Sequence, residues 1–208
     1  MITVYGMAVS GNCWKVAQIL RLTGREFRWV EVDANKGETR RPEFLKRNPV
    51  GKVPAAELDD GTVLIESNAI LAHFAEGTEW LPPPGLPRTR VFEWLFFEQY
   101  SHEPNIAVAR NIISHLRTGA RHAERLEQCR AGGERALGVM ELRLARNDWL
   151  TDAAPTIADL ALFAYTHVAD EGGFNLARWP GVEAWVQRVA EIPGIVKLPR
   201  QTSEEARA

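Results

Sequence analysis

The stretch NPVGKVPAAELDDGTVLIESNAIL, residues 48–71, decides the fold. It holds two short apolar and β-branched runs on either side of Asp59-Asp60-Gly61, and an Asp-Gly pair between such runs is typical of a β-hairpin turn. Pro54 stands at the head of the first run, where a residue without a backbone N–H is tolerated. Ser67 then opens an apolar helical period. The stretch therefore predicts a hairpin followed directly by a helix.

The sequence on the N-terminal side adds two further strands and two helices. Residues 2–5 form a β-branched and aromatic run that ends at Gly6, and a helical period of apolar residues then stops at Thr23-Gly24. A second strand is predicted over residues 27–32 and a short helix over residues 42–45. Strands and helices thus alternate before the hairpin, which predicts an α/β domain over residues 1–77.

The sequence on the C-terminal side is helical throughout. Residues 78–87 contain four prolines and one glycine and predict a linker. The remainder, residues 88–208, predicts an all-helical domain. Its clearest helical patterns cover residues 91–100, 121–150, 156–167 and 182–192.

Composition excludes several classes of protein. The 208 residues are 45% hydrophobic and 25% charged, which is ordinary for a globular protein, and the net charge is −2. Neither half is basic, so a nucleic acid or an anionic membrane is not an expected partner. Two cysteines cannot build a disulfide framework, and no apolar stretch reaches transmembrane length. We therefore expect a cytoplasmic protein with no membrane partner.

Three short segments carry chemistry, and each also has a purely structural interpretation. Ser10-Gly11-Asn12 stands at the start of the first helix, where free N–H groups favour an anion, but Ser10 also suits an ordinary helix cap. Glu66-Ser67 offers the same two interpretations at a later helix. The Val53-Pro54 bond is either trans, which is the commoner case, or cis, which would turn the backbone toward a ligand.

A fourth segment, Thr156-Ile157-Ala158-Asp159, is structural. A threonine followed three residues later by a carboxylate is typical of a capping box. It predicts the start of a buried helix, because the residues after it are nearly all apolar.

Together these segments resemble the cytosolic glutathione transferase family, as a bacterial member of the serine/asparagine type. The similarity lies in VYGMAVSGNCWKV (residues 4–16), in residues 48–71 and in PTIADLALFAY (residues 155–165), and so spans the chain. It implies a thioredoxin-like N-terminal domain with a mixed four-stranded sheet, followed by an all-helical domain. It also implies transfer of glutathione to a small electrophile, with glutathione as cosubstrate. A glutathione-dependent peroxidase or disulfide reductase and a non-catalytic binding module are the alternatives.

The resemblance also implies a role for each matching residue. Ser10 matches the catalytic serine and Asn12 an asparagine near the sulfur. The expected glutathione site is Lys52, Val53, Pro54, Glu66 and Ser67, with Pro54 in the cis form.

Two other residues near the start of the chain are weaker candidates for the group that stabilises the thiolate. Tyr5 lies inside the first strand, so Ser10 is favoured over it. Cys13 stands where a dithiol motif would have its second cysteine, but the first is absent. We interpret Cys13 as a buried core residue.

The helical domain supplies the less specific part of the prediction. Tyr100, His102 and Arg110 are candidates to line a second-substrate pocket, although a solvated helix end explains them equally well. The aromatic run at residues 92–97 is too apolar for a surface helix and predicts a homodimer. No histidine or cysteine spacing indicates a metal site, so none is expected.

Overall fold

The computed structural model describes residues 1–151 and 154–200. The predicted helical domain extends to residue 208, so its residues 201–208 lie outside the described part. The N-terminal sheet has the order β2-β1-β3-β4, with β1 parallel to β2 and antiparallel to β3. This is the predicted mixed four-stranded sheet. Its strands are β1 (Ile2–Gly6), β2 (Phe27–Glu31), β3 (Ala55–Glu57) and β4 (Val63–Ile65).

Three helices accompany the sheet: α1 (Gly11–Leu22), α2 (Pro42–Leu45) and α3 (Ser67–Ala75). Helix α1 ends at Thr23 because Gly24 takes a positive φ of 65°, a conformation that glycine adopts without a steric penalty. The hairpin turn and the start of α3 lie where residues 48–71 predict them. The Val53-Pro54 bond is cis, which confirms the prediction for Pro54.

Among the described residues, the part of the chain after α3 forms helices joined by loops and contains no strand. The helices are α4 (Leu86–Phe97), α5 (Glu103–Arg110), α6 (Ala123–Leu144), α7 (Ile157–Thr166) and α8 (Pro180–Ala190). Two π-helical turns, Glu98–His102 and Asn111–His115, flank α5. Four short 3₁₀ segments complete the pattern: Glu38–Arg40, Gly119–His122, Ala169–Gly172 and Leu176–Arg178.

Helix α6 contains Gly132 and Gly133. Glycine is needed at both positions because other side chains occupy the space that a Cβ would need. A Cβ on Gly132 would lie 2.2 Å from the side chain of Asn105, and one on Gly133 would lie 2.5 Å from the ring of Phe174. The two glycines therefore permit α5 and the segment that holds Phe174 to approach α6 closely. The helix is shorter than the predicted range 121–150, since it begins at Ala123 and ends at Leu144.

Helix α7 is the centre of the core. All ten of its residues are buried, and it packs against both α1 and α3 of the sheet domain as well as α4 and α8. The core is therefore continuous between the two parts of the chain. None of the helices in the described residues is long and apolar enough to span a membrane.

The capping box at the start of α7 is present as predicted. The Thr156 hydroxyl accepts from the Ala158 N–H, and Asp159 Oδ2 accepts from the Thr156 N–H at 2.9 Å. Asp159 also does more than cap. Its Oδ1 accepts from the Leu150 N–H at 3.1 Å and from the Trp185 indole at 2.9 Å. A single buried carboxylate thus joins α7, α8 and the loop before α7.

The segment after α8 returns to the first helix. The Gln18 amide donates to the Gly194 carbonyl at 2.6 Å and accepts from the Val196 N–H at 3.1 Å. The Trp14 indole donates to the Val196 carbonyl. Residues 194–196 therefore lie as a strap along α1.

We expect Asp159→Ala to reduce the free energy of unfolding by roughly 3 kcal/mol or more, because three buried donors lose their acceptor. Urea unfolding followed by far-ultraviolet circular dichroism measures this change. The control is Asp148→Ala, whose side chain is 74% exposed in its pair with Arg188 and should cost less than about 1 kcal/mol. Equal losses in the two variants would contradict the role given to Asp159.

Candidate functional site

A cavity of about 460 Å³ opens between the sheet domain and the helical part of the chain. Its walls come from the start of α1, the loop before β3 and the start of α3 on one side, and from α5 and α7 on the other. Most of the residues predicted from the sequence line it together: Ser10, Asn12, Lys52, Val53, Pro54, Glu66, Ser67 and Arg110.

Ser10 is the N-cap of α1. Its backbone is extended, and its Oγ accepts from the Cys13 N–H at 3.4 Å. The Asn12 N–H donates to the phenol oxygen of Tyr165 at 3.2 Å. Ser10 therefore caps the helix, as the structural interpretation of this segment predicts. The residue also lines the cavity, as the functional interpretation requires.

The Asn12 side chain bridges the two walls of the cavity. Its Oδ1 accepts from the Ser67 hydroxyl at 3.2 Å, and its Nδ2 donates to Glu103 Oε1 at 3.2 Å. Ser67 belongs to α3 and Glu103 to α5. The asparagine therefore fixes the start of α3 relative to the helical part of the chain.

Below this bridge lies a fully buried ion pair. Lys15 Nζ is 2.8 Å from Glu98 Oε2, and neither side chain is exposed. The ammonium also donates to Asn68 Oδ1 at 3.1 Å, and Asn68 Nδ2 donates to Glu98 Oε2 at 3.0 Å. Glu98 Oε2 thus accepts from both Lys15 and Asn68, whereas Glu98 Oε1 is buried with no hydrogen-bond partner among the described residues, so part of the desolvation cost of the pair is not offset. The pair joins α1, α3 and the π-helical turn that precedes α5.

Glu103 is the acidic group that faces the cavity from α5. Burial raises the pKa of its carboxyl, and the negative charge of Glu98 raises it further. Lys15, the hydrogen bond from Asn12 and the charge of Lys52 act in the opposite direction. Ionisation of the Glu103 carboxyl at the floor of the cavity therefore carries a desolvation cost.

The loop before β3 is held in shape by its own side chains. Asn48 Nδ2 donates to the Lys52 carbonyl at 2.7 Å, and Asn48 Oδ1 accepts from the Val50 N–H at 3.0 Å. The ammonium end of Lys52 is exposed at the mouth of the cavity. This arrangement presents a fixed backbone beside the cis Pro54 and an exposed positive charge next to it.

Glu66 has an unusual backbone for a residue with a side chain. Its φ is 68° and its ψ is 110°, immediately before α3 begins at Ser67. Positive φ values cost a non-glycine residue on the order of 1–3 kcal/mol, and such residues cluster at binding sites. The conformation directs the exposed end of Glu66 and the buried hydroxyl of Ser67 to one side of the cavity.

Cys13 and Tyr5 lie away from this chemistry. Cys13 is fully buried, its sulfur accepts from the Met7 N–H at 3.3 Å, and burial raises the pKa of its thiol to about 11. A thiol in that state is a poor nucleophile. The Tyr5 hydroxyl donates to Glu57 at 2.9 Å and does not line the cavity.

Two of the three residues suggested for a second-substrate pocket are placed elsewhere, which corrects that expectation. His102 is fully buried, its Nε2 lies 2.9 Å from the Thr166 hydroxyl, and burial lowers the pKa of its imidazole to about 3. It is a neutral core histidine. Tyr100 is 88% exposed and is not among the lining residues. Both belong to the π-helical turn Glu98–His102, whose wider winding rotates side chains away from the faces expected for an α-helix.

Arg110 does line the cavity, but its guanidinium is held from several sides. Its Nε donates to Glu171 Oε2 at 2.7 Å, and its Nη1 donates to the Val9 carbonyl at 2.7 Å. The side chain is 2% exposed. Arg110 therefore anchors the loop before Ser10 to the helical part of the chain.

Two cavity residues, Glu103 and Tyr165, were not selected from the sequence. Both contact Asn12, one through its side chain and one through its backbone. Tyr165 has a sequence signal, since it is the one aromatic hydroxyl in the apolar run over residues 155–165. Within residues 1–151 and 154–200, no group of three or more His, Cys, Asp or Glu is arranged to hold a metal ion.

Comparison with known proteins identifies two matching family models. Residues 4–80 match the N-terminal domain of glutathione S-transferase, and residues 95–193 match its C-terminal domain. The structure is similar to a glutathione S-transferase from Xanthobacter autotrophicus Py2, with a TM-score of 0.94, 62% sequence identity, and coverage of 96% of this chain and 97% of that one.

Two further relatives show the range of similar proteins. The chain is 28% identical to the disulfide-bond oxidoreductase YfcG of Escherichia coli over 99% of this chain and 98% of the relative. It also resembles the structure of Ure2p in complex with glutathione, with a TM-score of 0.84, 29% identity, and coverage of 95% and 97%.

We expect Glu103→Gln to raise the free energy of unfolding at pH 7. The pKa of this carboxyl is raised on folding, so its contribution to stability is present below the unfolded pKa and is lost as pH rises through the folded value. The neutral amide removes that loss, and the gain should shrink toward zero as pH falls below about 4. Urea unfolding at both pH values measures the change.

The control is Glu127→Gln, an exposed carboxylate on α6. It should leave stability almost unchanged at either pH. A Glu103→Gln variant that is less stable than the wild type at pH 7 would contradict the electrostatic account of this carboxyl.

Proposed function

The chain belongs to the glutathione S-transferase family and is an enzyme of that transferase class, and we propose that it joins the sulfur of glutathione to a small electrophile. The observation that carries the proposal is the cavity between the two parts of the chain. It collects groups suited to a peptide with two carboxylates, one ammonium and one thiol.

We assign the glutathione site to the sheet-domain wall. The charge of Lys52 suits the glycyl carboxylate, and the backbone of Val53 beside cis Pro54 suits the main chain of the cysteinyl unit. The hydroxyl of Ser67 and the carboxylate of Glu66 suit the carboxylate and ammonium of the γ-glutamyl end. This assignment places the cysteinyl sulfur toward the start of α1.

The catalytic assignment follows from that position. A glutathione thiol has an ordinary pKa of about 8.5, so little thiolate is present at neutral pH. Hydrogen bonds favour the charged form, and we assign them to Ser10 with help from Asn12. The thiol proton leaves to solvent, the thiolate attacks an electrophilic carbon, and the leaving group departs with the bonding electrons. Proximity in the cavity supplies much of the remaining acceleration.

We assign entry of the second substrate to the α5 side of the cavity. Ala107 and Val108 supply apolar surface there, and Asn111 supplies a polar group. Arg110 contributes through the loop that it anchors rather than as a free charge. The site thus suits an electrophile with an apolar body.

Reduction of disulfides or hydroperoxides by glutathione is the second candidate function, and the similarity to the oxidoreductase YfcG supports it. A panel containing an aryl halide, an organic hydroperoxide and a mixed disulfide separates the two functions. Formation of a glutathione conjugate from the aryl halide supports transfer. Activity confined to the other two substrates supports reduction.

We also propose that the protein acts as a cytoplasmic homodimer. Phe96 near the end of α4 is 73% exposed, Tyr100 in the turn that follows is 88% exposed, and Phe92 one helical turn earlier is half-buried. An apolar stripe of this kind is suited to cover by a second copy. Light scattering should give twice the chain mass of 23.3 kDa, and Phe96→Glu should shift the mass toward one chain.

We expect calorimetry to show glutathione binding that weakens more than tenfold in Ser67→Ala, because we assign this buried hydroxyl, which donates to Asn12 in the free protein, to the charged γ-glutamyl carboxylate. Lys52→Ala should weaken binding less, by about two- to tenfold, because the ammonium is exposed and screened by solvent. The control Lys46→Ala removes an exposed lysine outside the cavity and should have no effect. Unchanged affinity in both Ser67→Ala and Lys52→Ala would remove the assignment of the glutathione site.

A further inference from the structure

Tyr165 is a helical-domain residue whose side chain reaches the first helix of the sheet domain. It lies near the C-terminal end of α7, is 6% exposed and lines the cavity. Its ring packs against Gly11, where an added Cβ would lie 2.7 Å from the phenol carbon Cζ. The first turn of α1 can therefore hold only glycine at position 11 while this ring is present.

The phenol oxygen occupies the position in which the start of α1 would otherwise present bare N–H groups. The Asn12 N–H donates to it at 3.2 Å, and the Cys13 N–H is taken by Ser10 Oγ at 3.4 Å. An anion that approaches the Asn12 and Cys13 N–H groups from the cavity thus meets a hydroxyl group first.

The Ser10 hydroxyl has several polar neighbours. It accepts the Cys13 N–H, and its side chain lies close enough to the Cys13 thiol and the Tyr165 phenol to lower the pKa of both, against the larger rise that burial causes. One hydroxyl proton cannot serve these two neighbours and a bound sulfur together. Tyr165 receives a backbone N–H, and its phenol is the donor in no hydrogen bond within residues 1–151 and 154–200. Its own proton is therefore available to the cavity.

The surroundings keep the phenol in its donor form. Burial raises the pKa of Tyr165 well above its ordinary value, and the carboxylate of Glu103 raises it further. The Ser10 side chain and the hydrogen bond from the Asn12 N–H act in the opposite direction, and the Cys13 thiol adds a small rise.

We propose that the phenol of Tyr165 donates a hydrogen bond directly to the glutathione thiolate, with Ser10 and the Asn12 N–H orienting the phenol. The inference rests on the proposed function, since it needs glutathione in the cavity with its sulfur near α1. No proton is transferred by the phenol: the thiol proton leaves to solvent, and the O–H bond of Tyr165 stays intact. Ser10 then acts chiefly as a positioning residue, and the direct donor comes from the helical domain.

The test is an ultraviolet titration of the bound thiolate in Tyr165→Phe, with calorimetry of glutathione on the same protein. The variant removes one oxygen and keeps the ring that packs on Gly11. We expect the pKa of the bound thiol to rise by about one unit or more and turnover to fall roughly 10- to 1000-fold, with glutathione affinity nearly intact.

The matched control is Tyr5→Phe. It removes the hydroxyl of another buried tyrosine, whose partner is Glu57 outside the cavity. It should leave both the titration and turnover unchanged, so a general effect of losing a buried hydroxyl is separated from an effect on the sulfur.

A double-mutant cycle with Ser10→Ala then assigns the two hydroxyls. If Ser10 acts through the phenol, the double variant should be no more impaired than Tyr165→Phe alone. A titration that is unmoved in Tyr165→Phe but moved in Ser10→Ala, with glutathione bound in both, would overturn the inference and leave the proposed function standing. Failure of the wild-type protein to bind glutathione would overturn both.

Discussion

The buried pair of Lys15 and Glu98 is the interaction on which the site depends. It lies where α1, α3 and the turn before α5 meet, and its hydrogen bond to Asn68 fixes the first turn of α3. Ser67 and Asn12 take their positions from that arrangement. Loss of one member would leave an unpaired charge in the core, which costs several kcal/mol, whereas the intact pair contributes little net stability. Its value to the protein is that it sets the geometry of the cavity floor.

Much of the sheet domain follows from local sequence. The Asp-Gly turn, the glycine after α1 and the serine at the start of α3 each determine the backbone within a few residues, so the hairpin and helices are predictable from residues 48–71 and the region before them. The helical part is harder, because its helix ends depend on contacts distant in sequence. Gly132 and Gly133 remain helical because Asn105 and Phe174 pack on them.

The same distinction applies to the cavity. Residues of the sheet-domain wall could be named in advance because their roles follow from helix starts and a strand head. Glu103 and Tyr165 are joined to the site by contacts with residues distant in sequence, and their hydrogen bonds with Asn12 span 91 and 153 residues. The sequence does not predict the positions of Tyr100 and His102 because the turn that contains them is π-helical. Such a turn changes the direction of side chains but does not alter the pattern of apolar residues from which a helix is predicted.

The strap along α1 has a consequence for how the protein is made. Trp14 and Val196 are 182 residues apart, so at about 5–20 residues per second the helix leaves the ribosome some 10–40 s before its covering segment does. The α7 side of the core is missing during most of that interval. The sheet domain therefore leaves the ribosome before the helices that complete its core have been synthesised. Its apolar surface needs protection until the helical part has been made.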